Sequence, residues 1–292
     1  MTRYAKPTSL EDAVALLGEG DWTILAGGTD FYPALGSKPL RCNVLDINAL
    51  GELRGVTKTD QGIRIGALTT WTEILRADLL PGFDALKQAA REVGSIQIQN
   101  CGTVAGNLCN ASPAADGIPP LLILGAEVEL ASMGRTRQLP LGDFMRGNRK
   151  TALVPGELLT AIYIPGAATD GRSAFLKLGS RRYLVISIAM VAARIVADAE
   201  GRIVNAAVAV GSCSEVARRL TNLENRLVGM PLDIDPCALI EAETLDELSP
   251  IDDVRGSADY RREAARVLIA RCIRGAAGAY SKPAEQTNRG VA

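Results

Sequence analysis

The chain has no histidine in its 292 residues. That absence excludes serine–histidine hydrolysis, histidine-held metal sites and flavin attached through a histidyl bond. Its six cysteines, at positions 42, 101, 109, 213, 237 and 272, form no C-x-x-C pair, and the nearest two, Cys101 and Cys109, are eight apart. A zinc ribbon or an iron–sulfur cluster within this chain is therefore not expected. Such cysteines read as small core residues in a reducing compartment. No apolar run reaches the roughly 18 residues that span a bilayer. The opening "MTRYAKPTSLEDAV" lacks the apolar core of a secretory signal, so the expected location is the cytoplasm. A net charge of −1 gives no electrostatic case for nucleic acid or an anionic membrane. What remains is a soluble globular composition, 47% apolar and 22% charged, with room for two domains. Chemistry must come from a bound cofactor or from other residue types.

Hydrophobic spacing predicts mixed elements. Thr8 and Glu11 have the spacing of a capping box, and Leu10, Ala13, Val14 and Leu17 share a helical face that stops at Gly18. "WTILAGG" reads as a buried strand broken at Gly27-Gly28 and "CNVLDI" as a second, making residues 1–50 a βαβ-type unit. "GIRIGALTT" alternates as a half-buried strand, and "DALKQAAREVG" is a helix ending at Gly94. The run 95–112 is too rich in glycine and asparagine to be one regular element. Strands are expected near Glu127–Ser132 and over 157–165, followed by a boundary at "GAATDGR", 166–172. Beyond it lies a long β-hairpin around "DAEGR", then helices at 215–228, 236–247 and 258–279. The last helix is expected to align Tyr260, Ala264, Val267, Leu268 and Cys272. The fold class is α+β, with an antiparallel sheet and helices in the second part.

Two stretches are built from backbone that a ligand can approach. "ILAGGTDF" places two glycines directly after a strand, where positive φ and a missing Cβ leave N–H groups free to converge on an anion. Alone, this is equally a tight turn. "NCGTVAGNLCNASPAAD" adds Gly102 and Gly106 around Thr103, with Asn107 following. Two such loops are able to clamp a dinucleotide diphosphate from opposite sides. Neither is a Rossmann fingerprint or a P-loop, since G-x-G-x-x-G after a strand and G-x-x-x-x-G-K-[ST] are both missing.

With "GNRKTALVPGELLTAIYIP" and "FLKLGSRRY" following in order, the chain to about residue 280 resembles the FAD-binding, or medium, subunit of the molybdenum hydroxylases, the xanthine dehydrogenase and carbon monoxide dehydrogenase family. The resemblance implies a FAD-binding domain of the vanillyl-alcohol-oxidase (PCMH) type over 1–167, in subdomains of about 1–55 and 56–167. It also implies a carbon monoxide dehydrogenase flavoprotein-like domain over 173–280 and a tail over 281–292. Leu25, Ala26, Gly27, Gly28, Thr29, Asp30 and Phe31 match its first pyrophosphate loop, and Gly102, Thr103, Ala105, Gly106 and Asn107 its second. The family often has Gly-Gly where this chain has Ala105-Gly106; alanine keeps its N–H, so only a need for positive φ would harm binding there. Asn110, Ser112 and Asp116 match contacts along the ribityl and ring part, Asp116 as an acceptor or else as an acid near the next helix cap. Val93 matches a residue packed on the ring, and Leu159 and Lys177 match further flavin contacts. Lys177 beside the ring would favour its anionic reduced form by Coulomb attraction, or else is a strand-surface lysine. Asp30 would repel a diphosphate, so it is expected to turn away and bond loop N–H groups or a ribose. Arg181 and Arg182 are expected either to be solvated or to face the acceptor or a partner subunit, and stacking near the ring is the expectation for Tyr183.

The resemblance further implies non-covalent FAD as the chain's only redox group, since the four-cysteine insertion of some members is missing. No catalytic side chain and no metal site belong to this chain. Molybdopterin and [2Fe–2S] centres are expected in a large and a small partner subunit, in a dimer of heterotrimers. Electrons would pass from the [2Fe–2S] centres through FAD to NAD or a quinone-type acceptor. A free-standing FAD oxidoreductase and a flavin-less scaffold subunit are the alternatives.

Overall fold

The computed structural model describes residues 2–181 and 184–278, which leaves Arg182, Tyr183 and the tail from 279 outside the described residues. The N-terminal unit consists of β1 (Tyr4–Ala5), α1 (Leu10–Gly18), β2 (Thr23–Leu25), α2 (Phe31–Leu35) and β3 (Val44–Asp46). Its three strands run parallel in the order β1-β3-β2, the βαβ arrangement expected. The capping residue of α1 is Ser9, not Thr8: its hydroxyl accepts from the Asp12 N–H at 3.1 Å.

The second unit carries β4 (Val56–Thr59), β5 (Gly62–Gly66), α3 (Trp71–Arg76) and α4 (Asp84–Glu92). It continues with α5 (Ile96–Cys101), α6 (Val104–Asn110) and α7 (Ile118–Ile123), then β6 (Glu127–Ser132) and β7 (Arg135–Pro140). After α8 (Leu141–Phe144) and the small hairpin β8 (Met145–Gly147) and β9 (Lys150–Thr151) comes the long β10 (Leu158–Pro165). Antiparallel pairing gives the order β4-β5-β10-β6-β7, with β10 at the centre. Buried Leu159, Ile162 and Ile164 of β10 join Trp71, Phe83, Leu108 and Leu121 in one core. Gly94 takes φ +54 just past α4, the left-handed stop that lets the chain turn away. The run 95–112 is not one regular element, as expected, but holds two short helices whose starts Ser95 and Thr103 each cap.

The third unit is β11 (Arg172–Leu178), β12 (Ala189–Ala197), β13 (Ile203–Gly211), β14 (Arg218–Arg219), α9 (Thr221–Leu227) and α10 (Ala258–Gly278). The hairpin expected around "DAEGR" is β12 and β13, paired from Met190↔Gly211 to Ala197↔Ile203. Alternation along β12 explains its unbroken apolar sequence. Ala189, Val191, Ala193 and Ile195 face α10, whereas Met190 and Ala192 join the core of the second unit. A strand covered on both faces needs no polar side.

Three helical expectations are corrected here. Residues 215–228 hold only α9, since Arg218 and Arg219 pair with Val210 and Ala209 as a strand. Residues 236–247 form only single 3₁₀ turns at Pro236–Ala238 and Glu243–Leu245. The buried stripe of α10 is Arg261, Ala265, Leu268, Ile269, Cys272, Ile273 and Ala276, with Tyr260 half exposed. Leu268 and Cys272 lie on this face as expected and Ala264 packs partly buried against it, but Arg261 rather than Tyr260 is the buried residue of the first turn. Its guanidinium donates to Asp253 Oδ1 at 2.6 Å and to the carbonyls of Ile188 and Ser212 at 2.7 and 3.0 Å.

Candidate functional site

The first stretch leaves β2 at Leu25 and turns through Ala26–Asp30 into α2. Gly28 has φ +72, a conformation that favours glycine. Gly27 is required by contact instead: a Cβ there would lie 1.9 Å from the Cys101 carbonyl oxygen and 3.1 Å from Gly102 Cα. The two glycine stretches, more than seventy residues apart in sequence, thus touch backbone to backbone. Among the described residues the N–H groups of Gly27, Gly28, Thr29 and Asp30 have no acceptor. Leu25 is buried at the strand end, and its carbonyl accepts from Ile47 N–H at 3.0 Å.

The second stretch is the capped start of α6 and offers fewer donors than its composition suggests. Val104 N–H is bound by Thr69 O at 2.9 Å and Gly102 N–H by Ile98 O at 2.6 Å. Gly106 N–H donates to Thr103 Oγ1 at 2.9 Å, and Asn107 N–H to Thr103 O at 3.1 Å. Thr103 and Ala105 N–H remain without an acceptor among the described residues. Ala105 is a helical residue with no positive φ, so its methyl is accommodated. Gly106 serves the cap, since a Cβ there would sit 2.8 Å from Thr103 Oγ1.

Between the stretches runs a cleft of about 570 Å³, within the size range of small-molecule sites. It is lined by Ala26, Gly27, Gly28, Thr29, Asp30 and Phe31 on one side and by Gly102, Thr103, Ala105, Gly106, Asn107 and Asn110 on the other. Val93 and Leu159 line it as well. Sequence reasoning missed Trp71, Ile98, Cys109, Leu153, Glu157 and Leu158, which complete its walls. Trp71 was within reach: it opens α3 behind the capping box of Thr70 and Glu73. Glu157 is held by a bidentate pair with Arg137, at 2.6 and 2.8 Å. The Arg137 bond, aided by Val154 N–H, keeps its carboxyl below the usual range despite partial burial. Asn107 Oδ1 is buried and has no partner among the described residues. A buried acceptor without a donor is costly, and Asn107 is one of the residues that line the cleft.

Asp30 does not bond loop N–H groups. Its Oδ1 accepts from Asn110 Nδ2 at 3.0 Å, and Arg149 donates in turn to Asn110 Oδ1, so a polar chain crosses the cleft rim. Ser112, Asp116 and Lys177 are not part of the cleft wall. Ser112 Oγ accepts from Ala114 N–H at 3.2 Å in a turn. Asp116 stands next to the α7 cap residue Gly117, as the alternative reading expected, but its side chain is turned elsewhere: its Oδ2 takes Lys177 Nζ at 2.6 Å and its Oδ1 takes Ser187 Oγ at 2.6 Å. Burial pushes the Asp116 carboxyl up, and Lys177 and Ser187 oppose that rise. Lys177 also reaches Glu92 O at 3.4 Å, so the lysine is buried rather than on a strand surface. Together with Ser212 N–H donating to Pro113 O at 3.0 Å, this pair fastens the 112–116 turn to the C-terminal sheet. Arg181 donates to Leu184 O at 2.6 Å; the expectations for Arg182 and Tyr183 lie outside the described residues.

The cleft wall thus carries backbone N–H groups that have no acceptor among the described residues. Residues 1–167 match the family model described as the FAD binding domain in molybdopterin dehydrogenase. Residues 174–276 match the carbon monoxide dehydrogenase flavoprotein C-terminal domain. The chain is 32% identical to the glyceraldehyde dehydrogenase medium chain of Sulfolobus acidocaldarius, over 93% of this chain and 96% of that one. It is 32% identical to the carbon monoxide dehydrogenase medium chain of Afipia carboxidovorans, covering 92% and 94%. Among solved structures, quinoline 2-oxidoreductase from Pseudomonas putida superposes with a TM-score of 0.85 at 27% identity, covering 96% and 98%. The chain belongs to the FAD-binding medium subunits of the molybdenum hydroxylases. It is an FAD-dependent oxidoreductase subunit with the fold of that family. No helix among the described residues is long and apolar enough to cross a membrane.

Proposed function

We propose that the chain binds FAD non-covalently in the cleft and relays electrons within a multi-subunit molybdenum hydroxylase. The observation that carries the reading is the row of N–H groups at Gly27, Gly28, Thr29 and Asp30, which belong to the cleft wall and have no acceptor among the described residues. The four amides, with those of Thr103 and Ala105, would hold the diphosphate; an anion bound by converging backbone dipoles needs no lysine. Asn107 would accept from a hydroxyl of the linker. Val93, Leu153, Leu158 and Leu159 would pack on the ring and exclude water from it. Ser112, Asp116 and Lys177 would act by holding the turn that follows α6. Bound FAD supplies exchange between one- and two-electron carriers, and the protein supplies geometry and electrostatics.

On this reading residues 1–167 bind the flavin and the C-terminal domain braces them. Molybdopterin and [2Fe–2S] centres sit in a large and a small partner subunit, in a dimer of heterotrimers in the cytoplasm. The relatives support such an assembly, being named as medium chains. Electrons enter from the [2Fe–2S] subunit and leave to NAD or a quinone-type acceptor. Co-expression with the adjoining large and small subunits tests this. The expected result is a complex with one FAD per copy of this chain, whose reduced form is reoxidised by NAD or by a quinone. A complex without flavin would make the chain a scaffold, and flavin reduced directly by a small substrate in the isolated chain would make it a free-standing oxidoreductase.

A further inference from the structure

Asn48 lies at the end of β3, outside every motif that marks the cleft, yet it touches the first glycine stretch. Its Nδ2 donates to Ala26 O at 2.8 Å and to Asp46 Oδ1 at 2.8 Å, and its own N–H donates to Asp46 Oδ1 at 3.0 Å. Both side-chain partners accept only, so the amide must present its NH₂ to them. Asp46, 7% exposed, is itself fixed by Tyr4 OH at 2.8 Å on Oδ2 and by Lys6 at 3.8 Å. Burial raises the Asp46 carboxyl, but Asn48, Tyr4 and Lys6 outweigh it and hold the group below its ordinary value.

The Ala26–Gly27 peptide is trans. In a trans peptide the C=O and the following N–H point in opposite directions. Tying Ala26 O to Asn48 therefore aims Gly27 N–H the other way. Gly27 lines the cleft, and that N–H has no acceptor among the described residues. We propose that Asn48, oriented by Asp46, is a positioning residue that turns the Gly27 N–H into the cleft to receive a phosphate oxygen of the bound dinucleotide. The assignment rests on the flavin reading above and adds to it a residue that never touches the ligand.

Asn48→Asp keeps the shape but sets an acceptor against both Ala26 O and Asp46 Oδ1; Asn48→Ala removes the side-chain amide without adding a charge. The full-length chain, stripped of flavin, is titrated with FAD, ADP and riboflavin, and its unfolding temperature is recorded. A hydrogen bond to a charged group contributes about 1.5 kcal/mol or more, so the Kd for FAD and for ADP should each rise about tenfold in both variants. Riboflavin, which has no phosphate, should bind as before, and the unfolding transition should remain cooperative. Equal losses for all three ligands would mean that Asn48 supports the fold generally and would overturn the proposal. Unchanged FAD and ADP affinity in both variants would overturn it while leaving the flavin site standing. Wild-type protein that binds neither FAD nor ADP would remove the flavin reading and the proposal together.

Discussion

Replacing Lys177 by methionine isolates the buried pair that joins the 112–116 turn to β11. The two side chains are 7% and 9% exposed, and the ammonium lies 2.6 Å from the carboxylate. Methionine keeps the length of the stem but leaves Asp116 with Ser187 as its remaining hydrogen-bond donor. Removing one partner of a buried pair costs about 3–5 kcal/mol, because the other charge stays uncompensated. The pH dependence follows from direction. The folded-state pKa of Asp116 is already raised by burial, so the folded chain holds its proton to higher pH than the unfolded chain does. The associated stability is present below the unfolded carboxylate value and is lost as pH rises through the folded one. Without Lys177 the folded value climbs further, and the loss extends to higher pH. Urea unfolding of Lys177→Met should therefore show a deficit of about 3–5 kcal/mol at pH about 8 that shrinks at pH about 5. Asp116→Asn in the same chain should recover much of it. A deficit that is the same at both pH values, or a double variant in which the two losses simply add, would refute the buried-pair account.

Gly27→Ala puts a methyl into the Cys101 carbonyl at 1.9 Å, so the two stretches must separate; flavin absorbance of the purified variant should fall to background and its unfolding temperature should drop. Thr103→Ala removes the α6 cap bonded to Gly106 N–H and should cost about 1 kcal/mol by urea titration, with weaker FAD retention. Gly106→Val should abolish retention, but it also displaces the capping hydroxyl 2.8 Å away, so its stability should fall at least as far as that of Thr103→Ala. Asp253→Ala strands Arg261, which is 1% exposed on its side chain, and should lower stability by about 3 kcal/mol or more. An effect under about 1 kcal/mol there, the value for exposed ion pairs, would show that the arginine finds water.

What the sequence disclosed was local. Gly28 after an apolar run and Gly94 after a helix each state their left-handed geometry within a few residues. The shortfall came where distant segments decide. Glycine and asparagine across 95–112 rule out one continuous element but do not announce that Ser95 and Thr103 cap two helices there, and the caps take up amides that composition alone leaves free. Asp116 and Lys177 are 61 positions apart, and no spacing rule announces that each satisfies the other. In the first turn of α10 Arg261 is buried where Tyr260 was expected, and its partners Asp253 and the Ile188 and Ser212 carbonyls all come from other segments. Asn48 carries no motif at all; only the peptide it holds connects it to the cleft.

A crystal structure of the chain loaded with FAD tests the central claim most directly. The account predicts diphosphate oxygens within hydrogen-bond distance of the Gly27, Gly28 and Thr29 N–H groups, with the tricyclic ring against Val93 and Leu159. A dinucleotide bound elsewhere, or those N–H groups turned onto protein acceptors with the ligand present, would contradict it.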